Sequence, residues 1–246
     1  MMNGSVSFIT EDAKHLSLES NSVDLVVTQA PFYKVDFDRY GGDSEKQIGS
    51  EKNIKRYINS LVIATKEMER VLKPTGSIFV VLSNMEPTAS EYLLKVLKKT
   101  DLLLANAPFV WNWSDENKQK VMGSIQFDYD LIFHFVKSPS LIYSNPYLVK
   151  KYSEPIWNVP FLDISSKIVK KLETVGFIGN SFTPEIPKRL IEMFSKPGAL
   201  VLDPFGGSGT TACEAYLLNR KAISVDVSEE QTELAEIRLG FIKEQQ

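Results

Sequence analysis

The sequence predicts an α/β fold, a doubly wound and mostly parallel sheet with helices on both faces. Three observations carry that prediction. Short apolar, β-branched runs alternate along the chain with stretches whose apolar residues recur at three- and four-residue spacing, the pattern of strands joined by crossover helices. Two of the runs stop abruptly in turns, Gln29-Ala30-Pro31-Phe32 and Asp203-Pro204-Phe205-Gly206-Gly207-Ser208-Gly209, at strand ends where open α/β sheets bind ligands. The chain has 246 residues, 43% apolar and 24% charged, which suits one compact domain with a sizeable core.

Taken in order, Val6 to Ile9 form a short strand running into Thr10-Glu11-Asp12-Ala13. Val23-Asp24-Leu25-Val26-Val27 is the next strand, ended by Thr28-Gln29-Ala30-Pro31-Phe32-Tyr33. Residues 34–52 are polar and carry Gly41, Gly42 and Gly49, a loop long enough to act as a lid. From Asn53 the spacing of Ile54, Tyr57, Ile58, Leu61, Val62, Thr65, Met68, Val71 and Leu72 is helical, and Lys73-Pro74-Thr75-Gly76 ends it. Ser77 to Leu82 reads as a buried parallel strand.

Glu86 to Lys99 is a second amphipathic helix. The apolar stretch through Phe109-Val110-Trp111-Asn112-Trp113 and the strand Asp130 to Val136 make an antiparallel hairpin at the sheet edge. Trp111 and Trp113 are core side chains in this reading, because aromatic residues near a sheet edge usually bury their rings. His134 has no ligand-type neighbours, and nothing in the chain reads as a metal site. Residues 138–178 are the least regular, with Pro139, Pro146, Pro155 and Pro160. A helix from Ile186 to Phe194, stopped by Lys196-Pro197-Gly198, leads into the strand Ala199 to Leu202. After the glycine turn come a helix, the strand Ala222 to Val225 ending in Asp226, and a last helix capped by Ser228.

The glycine turn is the most informative stretch. Its strand-turn-helix setting offers close backbone approach and free N–H groups at a helix start. It satisfies neither the G-x-G-x-x-G dinucleotide fingerprint nor the G-K-[ST] phosphate loop. With Asp226 standing where such folds hold ribose hydroxyls, the pair points to an adenosine-type ligand.

Asp203-Pro204-Phe205-Gly206-Gly207-Ser208-Gly209-Thr210-Thr211 resembles the cofactor motif D-P-F-x-G-S-G-T-T of the S-adenosylmethionine-dependent DNA amino-methyltransferases, which methylate N4 of cytosine or N6 of adenine. The resemblance covers nearly the whole chain in the permuted, β-class order. It implies a seven-stranded Rossmann-like sheet, a catalytic half at 1–137, a target-recognition segment at 138–178 and a cofactor half at 179–246. It also implies S-adenosylmethionine as cofactor and DNA as partner, with homodimers common in the family. Cofactor contacts then fall on Asp12, Asn180, Phe182, Asp203, Pro204, Phe205, Gly206, Gly207, Ser208, Gly209, Thr210, Thr211 and Asp226.

The catalytic tetrapeptide of that family, [D/N/S]-P-P-[Y/F], corresponds to Gln29-Ala30-Pro31-Phe32, with Gln for the first residue and Ala for the second. The chemistry is possible with both changes. A target amine whose lone pair is delocalised needs acceptors for its hydrogens; the Gln29 amide oxygen and the Ala30 carbonyl supply them, while Pro31 stiffens the turn and Phe32 stacks on a flipped base. Two alternatives stay open: a silent homologue that binds S-adenosylmethionine and DNA or pairs with an active subunit, and a methyltransferase for RNA or protein glutamine.

Other readings are narrowed by composition. Carbon-5 methylation needs a cysteine nucleophile, and the single cysteine, Cys213, falls inside the helix after the glycine turn. One cysteine suggests a reducing, cytoplasmic setting, and no apolar run approaches the ~20 residues of a membrane span. The net charge of −3 argues against clamping along a long duplex. A local basic face is expected from Lys150, Lys151, Lys167, Lys170, Lys171, Lys188 and Arg189, set against Glu154, Asp163, Glu173 and Glu185.

Overall fold

A computed structural model describes residues 4–34, 47–83, 88–113, 128–160, 167–175 and 182–245. Its centre is one sheet, built from β1 (Val6–Thr10), β2 (Val23–Gln29), β3 (Leu72–Ser83), β4 (Leu103–Leu104), β5 (Phe109–Asn112), β6 (Tyr129–Val136), β7 (Ile156–Asn158), β8 (Leu200–Asp203) and β9 (Lys221–Asp226). The order is β1-β9-β8-β2-β3-β6-β5-β7, with β4 also pairing β6. The first five of these run parallel, β6 is antiparallel to β3, β4 and β5, and β7 is parallel to β5.

The helices are α1 (Ile54–Val71), α2 (Thr88–Lys99), α3 (Pro146–Lys151), α4 (Lys167–Glu173), α5 (Glu185–Phe194), α6 (Thr210–Leu217) and α7 (Glu229–Lys243). They follow from the sequence pattern: α1 buries Tyr57, Ile58, Leu61, Val62, Thr65, Met68 and Val71 on one stripe, and Asn53 caps it by accepting from the Arg56 N–H. α1 and α2 cover one face of the sheet with Ala13, Leu16 and Val26, while α5 and α6 cover the other with Leu25, Val27, Phe79 and Trp111. The doubly wound α/β architecture is therefore as expected, and Ser228 caps α7 by accepting from Gln231 N–H.

Three details differ from expectation. The sheet has nine strands rather than seven, because two short ones, β4 and β7, join it. β7 arises in the irregular segment, where Trp157 alternates inward between exposed Ile156 and Asn158, and it places a strand outside the β5–β6 hairpin. Lys73-Pro74-Thr75-Gly76 is no connection between helix and strand: β3 starts at Leu72, pairs Val23 there, then slips register before Ser77 meets Leu25. Of the residues expected to make a basic face, Lys151 and Arg189 both lie over the Tyr152 ring, at 4.9 and 4.8 Å. Lys171 is paired with Glu244 at 2.8 Å, Arg189 with Glu185 at 2.8 Å, and Lys150 and Lys151 stand exposed on α3.

Candidate active site

The chain reverses its winding direction between β8 and β2. From β8 it crosses through α6 to β9, and from β2 through α1 to β3 on the opposite side, so a crevice opens above the carboxyl ends of these two neighbours. Both sequence motifs sit on that crevice. Thr28, the residue before Gln29, donates its hydroxyl proton to Asp203 Oδ1 at 2.6 Å in a fully buried contact between positions 175 apart in the chain. At the far ends of the same strands, Asp24 accepts from Leu200 N–H at 2.8 Å and pairs with Lys73 at 2.6 Å, which fixes the register from below.

Within the glycine turn each residue meets something different. Asp203 is 4% exposed and accepts from Phe205 N–H at 3.1 Å as well as from Thr28, so its carboxyl holds the turn from inside. Burial pushes it up to about 6, against the hydrogen bonds from Thr28 and Phe205 that favour the ionised form. Pro204 is buried, and Phe205 packs partly against the α1 side of the core. Gly206 donates to Val225 O at 2.8 Å, and a Cβ there would stand 1.9 Å from Ser224 Oγ. Gly207 has φ +48° and open space where a Cβ would be. Gly209, φ +76°, has room for no side chain, since a Cβ would lie 2.8 Å from that of Ala235 on α7. Gly207 alone of these three faces free space, and it fits the close approach of a ligand.

Ser208 and Thr210 turn inward. Arg238 of α7, 2% exposed, donates through Nη1 to Ser208 Oγ at 3.1 Å and Thr210 Oγ1 at 2.7 Å, bracing the turn from behind. Thr211 is buried in the first turn of α6. Sequence reasoning missed Arg238, and the signal available was slight: a cation between Ala235 and Leu239 on the apolar stripe of the last helix.

The acids line the rim. Asp226 accepts from Gly207 N–H through Oδ2 and Ser228 N–H through Oδ1, both at 2.9 Å, which leaves each oxygen a further lone pair for a ribose hydroxyl. Burial pushes its carboxyl above the usual carboxylate range, and those backbone N–H groups oppose the rise. Asp12 follows β1 on the same rim, where Glu11 N–H donates to Asp226 O at 2.9 Å. It accepts from Lys14 N–H at 2.9 Å and pairs with the Lys14 ammonium at 3.3 Å.

Across the crevice, Gln29 is half-buried at the last position of β2, opposite Val81. Ala30 N–H donates to Val81 O at 2.8 Å, continuing the ladder one residue further. Pro31 O accepts from the Tyr57 hydroxyl at 2.7 Å, and Phe32 is half-buried beside it. In the sequence Tyr57 reads as a core position only. Phe182 is 7% exposed, its ring 5.8 Å from that of Trp111 on the α5 face. Asn180 and residues 35–46 of the segment 34–52 expected to act as a lid lie outside the described residues.

The remaining candidates behave as core. Trp111 is fully buried and donates to Val159 O at 2.7 Å. His134 stacks on Phe79, contacts Ser77 Oγ at 3.0 Å and Asn106 at 3.2 Å, and is driven down to about 3 by burial. Cys213 is buried in α6, its thiol pushed up to about 11, so it carries no nucleophile toward the crevice. Among the described residues no group of three or more His, Cys, Asp or Glu side chains could hold a metal ion.

Solved structures share this architecture. The PvuII DNA methyltransferase (cytosine-N4-specific) is 22% identical, with a TM-score of 0.77 over 96% of this chain and 87% of that one. TTHA0409 of Thermus thermophilus, complexed with S-adenosyl-L-methionine, is 20% identical with a TM-score of 0.68 over 97% and 93%. The fold is that of a class I methyltransferase.

A family model described as DNA methylase matches residues 23–237. Among curated proteins, the Type II methyltransferase M.SmaI of Serratia marcescens is 26% identical over 96% of this chain and 91% of its own length. M.HpaI of Haemophilus parainfluenzae is 28% identical over 91% and 70%. The chain belongs to this DNA methylase family, whose members use S-adenosylmethionine to methylate an exocyclic amine, N6 of adenine or N4 of cytosine.

Proposed function

We propose that the crevice between β2 and β8 carries out this methyl transfer with Gln29 and the Ala30 carbonyl as acceptors for the target amine. The observation that carries the reading is the Thr28–Asp203 hydrogen bond of 2.6 Å, which sets Gln29-Ala30-Pro31-Phe32 beside the glycine turn. S-adenosylmethionine, when bound, supplies an electrophilic methyl carbon on a sulfonium. The residues of the chain align the amine with it. Gln29 Oε1 and Ala30 O each take one N–H of the amine, directing its lone pair out of the base plane, and Phe32 stacks on the base. Gaining the methyl group would make the amine cationic, and one of its protons would then leave to water. An amide oxygen is too weak a base to keep it.

The cofactor side of the proposal uses Gly207 for close backbone approach, Asp226 for the ribose hydroxyls and Asp12 for the adenine amine, with Asp203, Ser208, Thr210, Thr211 and Arg238 shaping the turn. Phe182 and Asn180 belong to the methionine end. Residues 138–178 form the target-recognition segment of a single domain, supported by the exposed Lys150 and Lys151 on α3. Exposed Leu94 and Leu97 on α2 support a homodimer, which sedimentation tests. No helix among the described residues is long and apolar enough to cross a membrane, and a chromosomal substrate supports a cytoplasmic setting.

Labelled-methyl transfer to DNA, RNA and protein, followed by nucleoside mass spectrometry, tests the reading and identifies the base. DNA is expected to be labelled, as N4-methylcytosine or N6-methyladenine. Gln29→Ala is expected to lower kcat by roughly a hundredfold or more while leaving cofactor affinity within a factor of about two. A variant that keeps the parent rate removes Gln29 from the chemistry.

A further inference from the structure

The tetrapeptide departs from the family pattern where two prolines would each lock a φ angle, and only Pro31 remains to do so. Two hydrogen bonds flank the freed residue. On its amino side Ala30 N–H donates to Val81 O at 2.8 Å, a bond that proline, lacking the N–H, could not make. On its carboxyl side the Tyr57 hydroxyl donates to Pro31 O at 2.7 Å. The Ala30 carbonyl lies between these two pins.

Tyr57 is suited to hold its pin. It stands in the first turn of α1, which Asn53 fixes by accepting from Arg56 N–H at 3.1 Å through its side chain and from Tyr57 N–H at 3.2 Å through its carbonyl. Its ring is 2% exposed and lies 5.2 Å from that of Tyr33, next to Phe32. A hydroxyl so anchored sets the plane of the Pro31 peptide. With the Pro31 ring fixing φ, that plane orients Ala30 O on one side and Phe32 on the other.

We infer that Tyr57 is a positioning residue for the methyl transfer, replacing together with the Ala30 ladder bond the stiffness that a second proline would give. The inference rests on the reading of Gln29 and Ala30 O as acceptors. It makes the need for Tyr57 depend on what stands at position 30. Tyr57→Phe keeps the ring and removes only the hydroxyl.

The test is kcat, cofactor Kd and thermal midpoint for Tyr57→Phe in three backgrounds: the parent, Ala30→Pro and Ala30→Gly. In the parent, kcat is expected to fall roughly five- to tenfold, the worth of one hydrogen bond, with cofactor Kd unchanged within about twofold. The loss is expected to shrink toward unity in Ala30→Pro, where the ring locks φ, and to deepen in Ala30→Gly, where the backbone is freer. If Ala30→Pro fails to fold, the comparison of parent with Ala30→Gly still decides. Parent-level kcat in Tyr57→Phe, or one and the same loss in every background, overturns the inference. Gln29→Ala measured alongside keeps the two levels apart: if it abolishes transfer while Tyr57→Phe is neutral, only the positioning role falls. If Gln29→Ala is itself neutral, the acceptor reading falls and this inference with it.

Discussion

Burial drives two ionisable groups of the sheet in opposite directions, His134 down to about 3 and Asp203 up to about 6. Their effects on stability have opposite signs. An unfolded histidine takes a proton below about 6.5 while folded His134 refuses it, so this group costs stability as pH falls through that window. An unfolded aspartate gives up its proton above about 3.9 while folded Asp203 keeps it to about 6, so this group costs stability as pH rises between those values and the cost is constant above them. Between about pH 4 and 6 the two slopes offset one another. Relative to the parent, Asp203→Asn is therefore expected to gain stability steadily from about pH 4 to 6, by at most about 1.4 kcal/mol per pH unit, and to gain nothing further above about 6.5. His134→Asn should show the reverse, its relative gain growing as pH falls. Urea melts across that pH range check both, and a difference from the parent that stays flat across the series would sink the assignment.

At the scale of one element, the strand-turn-helix of β8 and α6 separates roles that its sequence runs together. The three glycines read alike as a loop shaped for a ligand, and the adenosine-binding prediction rests on them as a group. In the structure Gly206 is glycine because Ser224 of β9 stands against it, Gly209 because Ala235 of α7 does, and Gly207 alone faces open space. That division was not legible, since which wall a glycine meets depends on elements remote in the chain. Tyr57, Arg238 and Thr28 were missed for the same reason: each looks like an ordinary helical or strand position, and its partner belongs to a remote segment. The division has a measurable consequence. Gly209→Ala combines a left-handed φ with a 2.8 Å clash and is expected to cost on the order of 2–4 kcal/mol of stability. Gly207→Ala carries the backbone strain alone, about 1 kcal/mol, yet places a methyl group where the ligand would approach. Thermal melts with and without S-adenosylmethionine distinguish them: Gly207→Ala should melt near the parent in the apo form and lose most of the cofactor-induced shift.

Over the whole molecule, the alternation of β-branched runs with helical spacing was enough to predict the doubly wound sheet, because both signals are local and repeat many times. The two motif ends were legible as strand ends, since the apolar runs stop at glycine and proline turns. What joins those ends was not legible: Thr28 is one more β-branched residue in a β-branched strand. Its hydroxyl bond to Asp203 is the contact that ties the end of β2 to the end of β8 at one crevice. Removing it with the near-isosteric Thr28→Val leaves the carboxyl with Phe205 N–H and without the donor that most favours its ionised form. Asp203 should then hold its proton to a higher pH than in the parent. By the same sign argument, the stability lost in Thr28→Val is expected to be larger at about pH 8 than at about pH 5, by roughly 1 kcal/mol or more, and Thr28→Ser should recover most of it. Because the bond spans both motifs, cofactor affinity and kcat should fall together in Thr28→Val, whereas Tyr57→Phe lowers kcat alone. Equal losses of stability at the two pH values, with cofactor affinity intact, would show that the two strand ends are held together without it.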